Sequence, residues 1–162
     1  SQQGLDLLGK LFLTPGDTVM VARPTYLGAL QAFNAYEPDY LDLPAGALAG
    51  EVDAEALMAG RAPNPLGYFV PDFANPTGES LTLPQREALL DLAEALDMTL
   101  IEDAAYRELR FDGEALPTLL SLDIARSGSI EAARTLFCGT FSKTISPALR
   151  IGWVCGPRAV IE

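Results

Sequence analysis

Short apolar runs alternate with helical patterns along the whole chain, and this alternation restricts the fold more than any other feature. Six runs rich in β-branched and aromatic residues are typical of buried strands: 18–22, 39–43, 67–71, 98–102, 135–140 and 150–155. The spacing of leucine and alanine between them predicts helices at 1–12, 25–36, 53–60 and 84–97. Strands that alternate with helices predict a mostly parallel sheet with helices on both faces, a three-layer α/β/α fold.

Two parts of the chain carry weaker signals. Residues 112–129 are polar and weakly patterned, so we predict that they form mostly loop. Ser1 stands directly before the first helix, where its hydroxyl could cap the helix. The opening "SQQGLDLLGK" and the final "PRAVIE" indicate the interior of a longer polypeptide.

Composition and charge exclude several classes of function. The 162 residues suit one domain, and the net charge of −11 argues against nucleic-acid phosphates or an anionic membrane surface as partners of this segment. No apolar run approaches the roughly 20 residues that a membrane span needs. The two cysteines, Cys138 and Cys155, lie in strand-like runs, so we interpret both as core residues of a cytoplasmic protein.

The chain contains no histidine, which limits its chemistry further. A Ser-His-Asp triad, a Cys-His pair and a histidine-based metal site are excluded within this segment, and we expect no metal. Acid–base chemistry must fall to lysine, tyrosine, aspartate or glutamate.

Reactive side chains follow several of the predicted strands. Ligands of parallel α/β sheets bind at the carboxyl ends of the strands, and Tyr26, Asn75, Asp103 and residues 140–143 all lie just after a strand. Lys143, one of two lysines, stands between a strand and a Ser/Thr/Pro loop, which favours a pocket. The other, Lys10, lies on the first helix, where a solvated lysine is ordinary.

The chemistry of these residues fits one cofactor. The carboxylate of Asp103 needs a cation, and a protonated pyridine nitrogen would serve. The amide of Asn75 could meet a phenolate oxygen, and hydroxyls near Arg150 fit a phosphate dianion. An amine, a carboxylate, a phenol, an amide and a phosphate cradle are what pyridoxal 5′-phosphate (PLP) requires.

These residues also have ordinary structural interpretations. Lys143 could be a solvated lysine, and residues 75–78 could be a simple turn. Asp103 could cap the turn that leads to a packed Tyr106, and Arg150 could form a surface ion pair. Ser1 could do no more than cap its helix, and Tyr26 could be a buried aromatic at a helix start.

Four motifs together resemble a known family. In this order, "NPTG" (75–78), "DAAY" (103–106), "TFSK" (140–143) and "LRIGW" (149–153) resemble the large domain of fold-type I, class I/II aminotransferases. "SQQGLDLLGKLF" and "FSKTISPALRIGW" are most similar to the 2-aminoadipate (LysN-type) and multisubstrate branch. The resemblance covers the whole chain, although Thr140 stands where the family usually has serine.

The resemblance implies a partial domain. Residues 1–162 would be the central part of the PLP-binding large domain, incomplete at both ends. The first of the family's seven strands would precede Ser1, and a C-terminal small domain would follow. The strand after Lys143 would be antiparallel to its neighbour.

The resemblance also implies roles for ten residues. Lys143 would form a Schiff base with PLP and move protons, Asp103 would pair with the pyridinium nitrogen, and Tyr106 would complete the catalytic set. Asn75 and Tyr106 would contact the phenolic oxygen of the ring, and Tyr26 would stack on it. The phosphate would be held by Ser1, Gln2, Thr140, Ser142 and Arg150.

The function implied is that of an aminotransferase (EC 2.6.1.-) in amino acid metabolism. It would move an amino group between an amino acid and a 2-keto acid as a cytoplasmic homodimer, and the isolated 162-residue chain would be inactive. Two alternatives remain open. One is a PLP-dependent lyase, decarboxylase or racemase of the same fold. The other is a MocR/GntR-type transcription regulator that senses PLP with an aminotransferase-like domain.

Overall fold

The computed structural model describes residues 1–43, 45–50 and 52–162 and contains six strands within them. The strands are β1 (Thr18–Val21), β2 (Asp39–Asp42), β3 (Leu66–Phe69), β4 (Thr99–Asp103), β5 (Thr135–Thr140) and β6 (Gly152–Cys155). The helices are α1 (Gln2–Phe12), α2 (Leu27–Phe33), α3 (Ala54–Met58), α4 (Leu83–Ala95), α5 (Leu119–Ser127) and α6 (Arg158–Ile161). All six predicted strands are present, with bounds that move by at most two residues.

The strands form one sheet in the order β2-β1-β3-β4-β5-β6. Neighbours from β2 to β5 run parallel, and β6 runs antiparallel to β5. The predicted α/β class and the antiparallel last strand are therefore confirmed. The parallel strands direct their carboxyl ends to the same edge of the sheet, where ligands of such folds bind.

Helices cover both faces of the sheet because successive side chains of a strand point to opposite faces. On β1, Val19 and Val21 join the core under α1 and α2, whereas Met20 joins the core under α4 and α5. The near-continuous burial of β1, β3 and β4 is what a parallel sheet covered on both sides demands. The predicted three-layer arrangement is confirmed.

The clearest predicted helix, 84–97, corresponds to α4. Thr82 accepts a hydrogen bond from the backbone N–H of Gln85, and the Gln85 side chain bonds back to Thr82, which forms a capping box. Pro84 lies in the first turn, where a missing N–H costs no helical hydrogen bond.

The prediction that 112–129 is mostly loop is wrong, because α5 lies within it. Thr118 caps the helix by accepting from the N–H of Ser121, and Gly128 ends it with a left-handed φ of 85°. The buried carboxylate of Glu102 accepts the N–H groups of Leu119 and Leu120, both at 2.9 Å. These two hydrogen bonds to a residue of β4 stabilise the start of α5, although the local sequence pattern of the helix is weak.

The two cysteines differ in burial, which corrects a second prediction. Cys138 on β5 is buried, but Cys155 on β6 is exposed, so the interpretation of both as core residues holds only for Cys138. β6 begins at Gly152 rather than at residue 150 and is the last strand of the sheet, with its residues mostly exposed.

No helix in the described part of the chain is long and apolar enough to cross a membrane.

Candidate active site

A cavity of about 260 Å³ lies at the carboxyl ends of the strands and gathers the predicted residues. Its lining consists of Ser1, Gln2, Tyr26, Val70, Asn75, Asp103, Ala105, Tyr106, Thr140, Ser142, Lys143 and Arg150. All ten predicted side chains are among them. A larger cavity of about 520 Å³ adjoins it and shares Val70 and Asn75, but Asp103 and Lys143 do not line it. The smaller cavity is therefore the candidate active site.

Asp103 ends β4 and is buried. Its Oδ2 accepts a hydrogen bond from the hydroxyl of Tyr68 at 2.8 Å, whereas Oδ1 accepts none from the described residues. Burial raises the pKa of the Asp103 carboxyl, and the hydrogen bond from Tyr68 partly opposes that rise. The backbone N–H of Ala105 also faces this carboxyl and opposes the rise, without reaching hydrogen-bonding geometry. A buried carboxylate with an unused oxygen needs a cationic or hydrogen-bond-donating partner.

The capping interpretation of Asp103 is wrong. The short 3₁₀ helix that follows, Arg107–Leu109, has Tyr106 at its N-cap position, and no side chain caps it. The carboxylate of Asp103 bonds instead to a neighbouring strand, which leaves its second oxygen for the cavity.

Lys143 lies in the turn after β5, three residues beyond the end of that strand. Its Nζ is 5.5 Å from the centroid of the Tyr106 ring, within the range of a cation–π contact. The side chain is exposed and forms no ion pair within the described ranges. Its amine is therefore available to a ligand.

Hydroxyl groups and a guanidinium also line the cavity. The Thr140 hydroxyl lies 3.1 Å from that of Ser142, accepts the Ser142 N–H at 3.1 Å and lies 3.2 Å from the carbonyl oxygen of Ile151. Arg150 precedes β6 in a left-handed conformation with φ of 52°, which is uncommon for residues other than glycine. Its Nη1 donates to the carbonyl oxygen of Pro147 at 3.3 Å. No carboxylate of the described segment pairs with it, so the surface ion-pair interpretation is wrong.

The starts of α1 and α2 meet beside the cavity, which Ser1, Gln2 and Tyr26 help to line. The Gln2 side chain donates to the carbonyl oxygen of Gly28 at 2.6 Å and accepts from the Tyr26 hydroxyl at 3.4 Å. A Cβ at position 28 would clash with the Tyr26 ring, so a larger residue there would force that ring to move. Ser1 occupies the N-cap position of α1, but its side chain makes no capping bond, so the capping prediction is wrong for its hydroxyl.

Asn75 lies in the loop after β3, and a buried ion cluster ties this loop to the one that carries Tyr106. Asp72 is bonded to Arg86 at 2.8 Å, to Arg110 at 2.9 Å and to Arg107 at 3.3 Å. Arg107 and Arg110 closely follow Tyr106 in the chain, so one carboxylate fixes the relative positions of Asn75 and Tyr106.

Sequence analysis missed Tyr68 and the Asp72 cluster. A phenol within the apolar run "LGYFVP" needs a hydrogen-bond partner when buried, and the neighbouring strand ends in an acid, so the signal for Tyr68 was present. The cluster was harder to find, because its arginines lie 14, 35 and 38 residues from Asp72.

Comparisons with known proteins agree with this geometry. A family profile described as "Aminotransferase class I and II" matches residues 1–162. The chain belongs to this family. The family recognised from the four motifs is therefore confirmed.

Similar proteins include members of the recognised branch. The chain is 41% identical over 162 residues to the 2-aminoadipate transaminase of Thermus thermophilus, covering 99% of the chain and 40% of that protein. It is 39% identical over 160 residues to aromatic-amino-acid aminotransferase 1 of Thermococcus litoralis, covering 95% and 36%. The chain thus spans about two fifths of the length of these relatives.

A solved structure shares the fold closely. The α-aminoadipate aminotransferase LysN from Thermus thermophilus, complexed with N-(5′-phosphopyridoxyl)-L-leucine, aligns with a TM-score of 0.85 at 38% identity. The alignment covers 99% of this chain and 40% of LysN.

The chain is also similar to a protein of another class. The HTH-type transcriptional regulator YdfD of Bacillus subtilis is 36% identical over 163 residues, which covers 99% of this chain and 32% of the regulator.

Proposed function

We propose that residues 1–162 form the central part of the PLP-binding large domain of an aminotransferase (EC 2.6.1.-). The observation that carries this proposal is the buried Asp103, whose Oδ1 lacks a partner among the described residues, in a cavity that also holds Lys143. A protonated ring nitrogen would supply the missing donor and the missing positive charge together. The LysN complex, which contains a phosphopyridoxyl group, supports PLP as the ligand.

The other lining residues fit the remaining parts of this cofactor. Arg150 and the hydroxyls of Thr140 and Ser142 offer charge-assisted hydrogen bonds to a phosphate. Ser1 and Gln2 begin an 11-residue helix, whose N-terminal N–H groups favour an anion. We propose that Asn75 and Tyr106 contact the phenolic oxygen of the cofactor ring. Tyr26 would stack on one face of that ring.

Residues of this chain can perform the proton transfers of transamination. When bound, PLP supplies an aldehyde that attaches to an amine and a ring that stores the electron pair left behind when a proton leaves the substrate α-carbon. Lys143 Nζ is the amine that would hold PLP. With a substrate bound, Nζ would take the proton from the α-carbon and give a proton back to the product. Asp103 would hold the proton on the ring nitrogen, which would keep the ring an effective electron sink.

We further propose a cytoplasmic homodimer that acts on an amino acid and a 2-keto acid. Large apolar side chains are exposed along α1 and around β6 and the turn before it: Leu7, Leu11, Ile145, Leu149, Ile151 and Trp153. Their exposure supports an interface with a second copy. Lys143 and Arg150 are exposed in this segment, so the cavity is only partly enclosed. We therefore predict that the isolated 162-residue chain is inactive.

The direct test is a transamination assay on the full-length protein. With PLP, an amino acid and a keto acid acceptor, we expect a new keto acid and a new amino acid in equal amounts. Loss of carbon dioxide, or a product formed without any acceptor, would favour a decarboxylase or a lyase instead.

A transcription regulator is the second candidate, and the similarity to YdfD favours it. A basic winged-helix domain encoded before Ser1, together with PLP binding but no turnover, would replace the enzyme proposal with this one.

A further inference from the structure

The hydroxyl of Tyr68 is the one described side-chain group that hydrogen-bonds Asp103. Tyr68 lies on β3 with no exposed surface, and its ring packs edge-on against Phe33, with centroids 5.8 Å apart and an interplanar angle of 73°. β3 and β4 pair with Tyr68 opposite Ile101, so the phenol reaches along the strand to the carboxylate two residues further on. The packing leaves the hydroxyl little freedom to bond elsewhere.

We propose that Tyr68 is a positioning residue for the cofactor nitrogen: its hydroxyl fixes Asp103 by Oδ2, aims Oδ1 at the bound ring and keeps the proton on the ring nitrogen. This inference rests on the proposed function. Tyr68 does not line the cavity, so it acts through Asp103 and not by contact with the ligand.

The environment of Tyr68 and Asp103 determines in which direction the Tyr68 hydroxyl shifts the pKa of Asp103. Burial and the neighbouring Asp103 raise the pKa of Tyr68 well above 10.0, so the phenol remains a donor at neutral pH. Its hydrogen bond opposes the effect of burial, which raises the pKa of Asp103. Without that bond the carboxylate would bind a proton more strongly and would compete with the ring nitrogen for the proton they share.

The test uses full-length protein loaded with PLP that carries ¹⁵N at the ring nitrogen. The ¹⁵N chemical shift reports directly whether this nitrogen is protonated, independently of activity. We compare the wild type with Tyr68→Phe at neutral pH. The matched control is Tyr40→Phe, which also removes the hydrogen bonds of a tyrosine hydroxyl, here to Leu30 and Asn34, away from the cavity.

The wild type and Tyr40→Phe should show a protonated nitrogen, whereas Tyr68→Phe should move the shift toward the unprotonated value. Because a hydrogen bond to a charged group corresponds to a factor of about 10 to 100, kcat of Tyr68→Phe should fall by at least about tenfold with KM little changed. An unchanged ¹⁵N shift in folded Tyr68→Phe would overturn the inference.

A second variant covers the case in which Tyr68→Phe does not fold. 3-Fluorotyrosine at position 68 keeps the packing and is a stronger donor, so the ¹⁵N shift should keep its protonated value to a higher pH than in the wild type. Loss of the ring-nitrogen proton at the same pH as in the wild type, or at a lower pH, would overturn the inference. Failure of the wild type to bind PLP at all would instead overturn the proposed function itself.

Discussion

Asp103 is the residue whose surroundings are hardest to explain without a ligand. It is 4% exposed, and one of its oxygens lacks a hydrogen bond among the described residues. Burial of a polar group without a partner is destabilising, so this position costs stability until a donor arrives. A site that is unfavourable when empty and favourable when filled is typical of a binding site.

The raised pKa of Asp103 gives a test in the protein without cofactor. The folded state holds the Asp103 proton more tightly than the unfolded state, whose pKa is near 3.8. This contribution to stability is complete below that value and is lost as pH rises through the folded pKa. Between acid and neutral pH, the wild type should therefore lose stability relative to Asp103→Asn, which does not titrate.

Urea denaturation of both full-length proteins across this pH range measures the difference. Glu102, whose pKa burial also raises, is present in both and cancels. Saturating PLP should reduce the loss in the wild type, since the ring would then partner the carboxylate. Parallel stability curves for the two proteins would contradict this role of Asp103.

Arg150 should govern retention of the cofactor rather than its chemistry. Arg150→Ala should weaken PLP binding by about 1.5–3 kcal/mol, the contribution of a hydrogen bond between charged groups. Asp103→Ala should keep PLP bound but lose most of its turnover. Absorbance titration and steady-state kinetics separate the two effects, with Arg158→Ala, an exposed arginine of α6 outside the cavity lining, as the control. The opposite pattern in the two variants would mean that the roles are assigned wrongly.

Single residues of the site were predictable because strand ends mark the ligand edge of a parallel sheet. Asn75, Asp103 and Lys143 could be placed together on that rule alone. Tyr68 could not be placed in this way, because its ring belongs to the core and only its hydroxyl contacts a residue of the site, Asp103.

At the scale of elements, the loops after β3 and β4 act as one unit because of Asp72. Its carboxylate is 1% exposed and meets three guanidinium groups, of which that of Arg86 has no exposed surface. Asn75 and Tyr106 lie on these two loops, so the ion cluster sets the width of the cavity between them.

Asp72→Asn should destabilise the protein strongly. Removal of one partner from a buried ion pair costs about 3–5 kcal/mol, because the remaining charges stay buried. Asp91→Asn is the matched control, since Asp91 pairs with Arg126 at 2.6 Å on the surface and should cost no more than about 1 kcal/mol. Urea denaturation of the full-length variants compares them, and equal losses would contradict the special role of Asp72.

The elements that sequence analysis identified were those with local signals. α4 has its capping box and proline within its first turn, and each strand is a compact apolar run. α5 was missed because Glu102, which accepts hydrogen bonds from the first N–H groups of the helix, lies 17 residues away from Leu119. Local pattern could not reveal a helix start that is stabilised by another strand.

At the scale of the whole molecule, the residues that stabilise the fold and the residues of the candidate active site lie in different places. Two apolar layers hold the sheet from both sides, while every candidate catalytic group lies at one edge. That edge is open in this segment, with Lys143 and Arg150 exposed. Because β6 pairs antiparallel with β5, with Gly152 opposite Thr140, Arg150 just before β6 lies at the same end of the sheet as Lys143 just after β5. Residues seven positions apart can therefore both line one cavity.

The site of PLP attachment in the full-length protein is the sharpest test of the proposed function. The loaded protein is reduced with borohydride, digested and analysed by mass spectrometry, and Lys143→Ala is treated in parallel. Within this segment Lys10, exposed on α1, serves as the internal control. We predict a reduced pyridoxyl label on Lys143, on the peptide that contains "TFSK", and its loss in Lys143→Ala. Labelling of Lys10 in place of Lys143, or an unchanged label in Lys143→Ala, would show that Lys143 does not hold PLP.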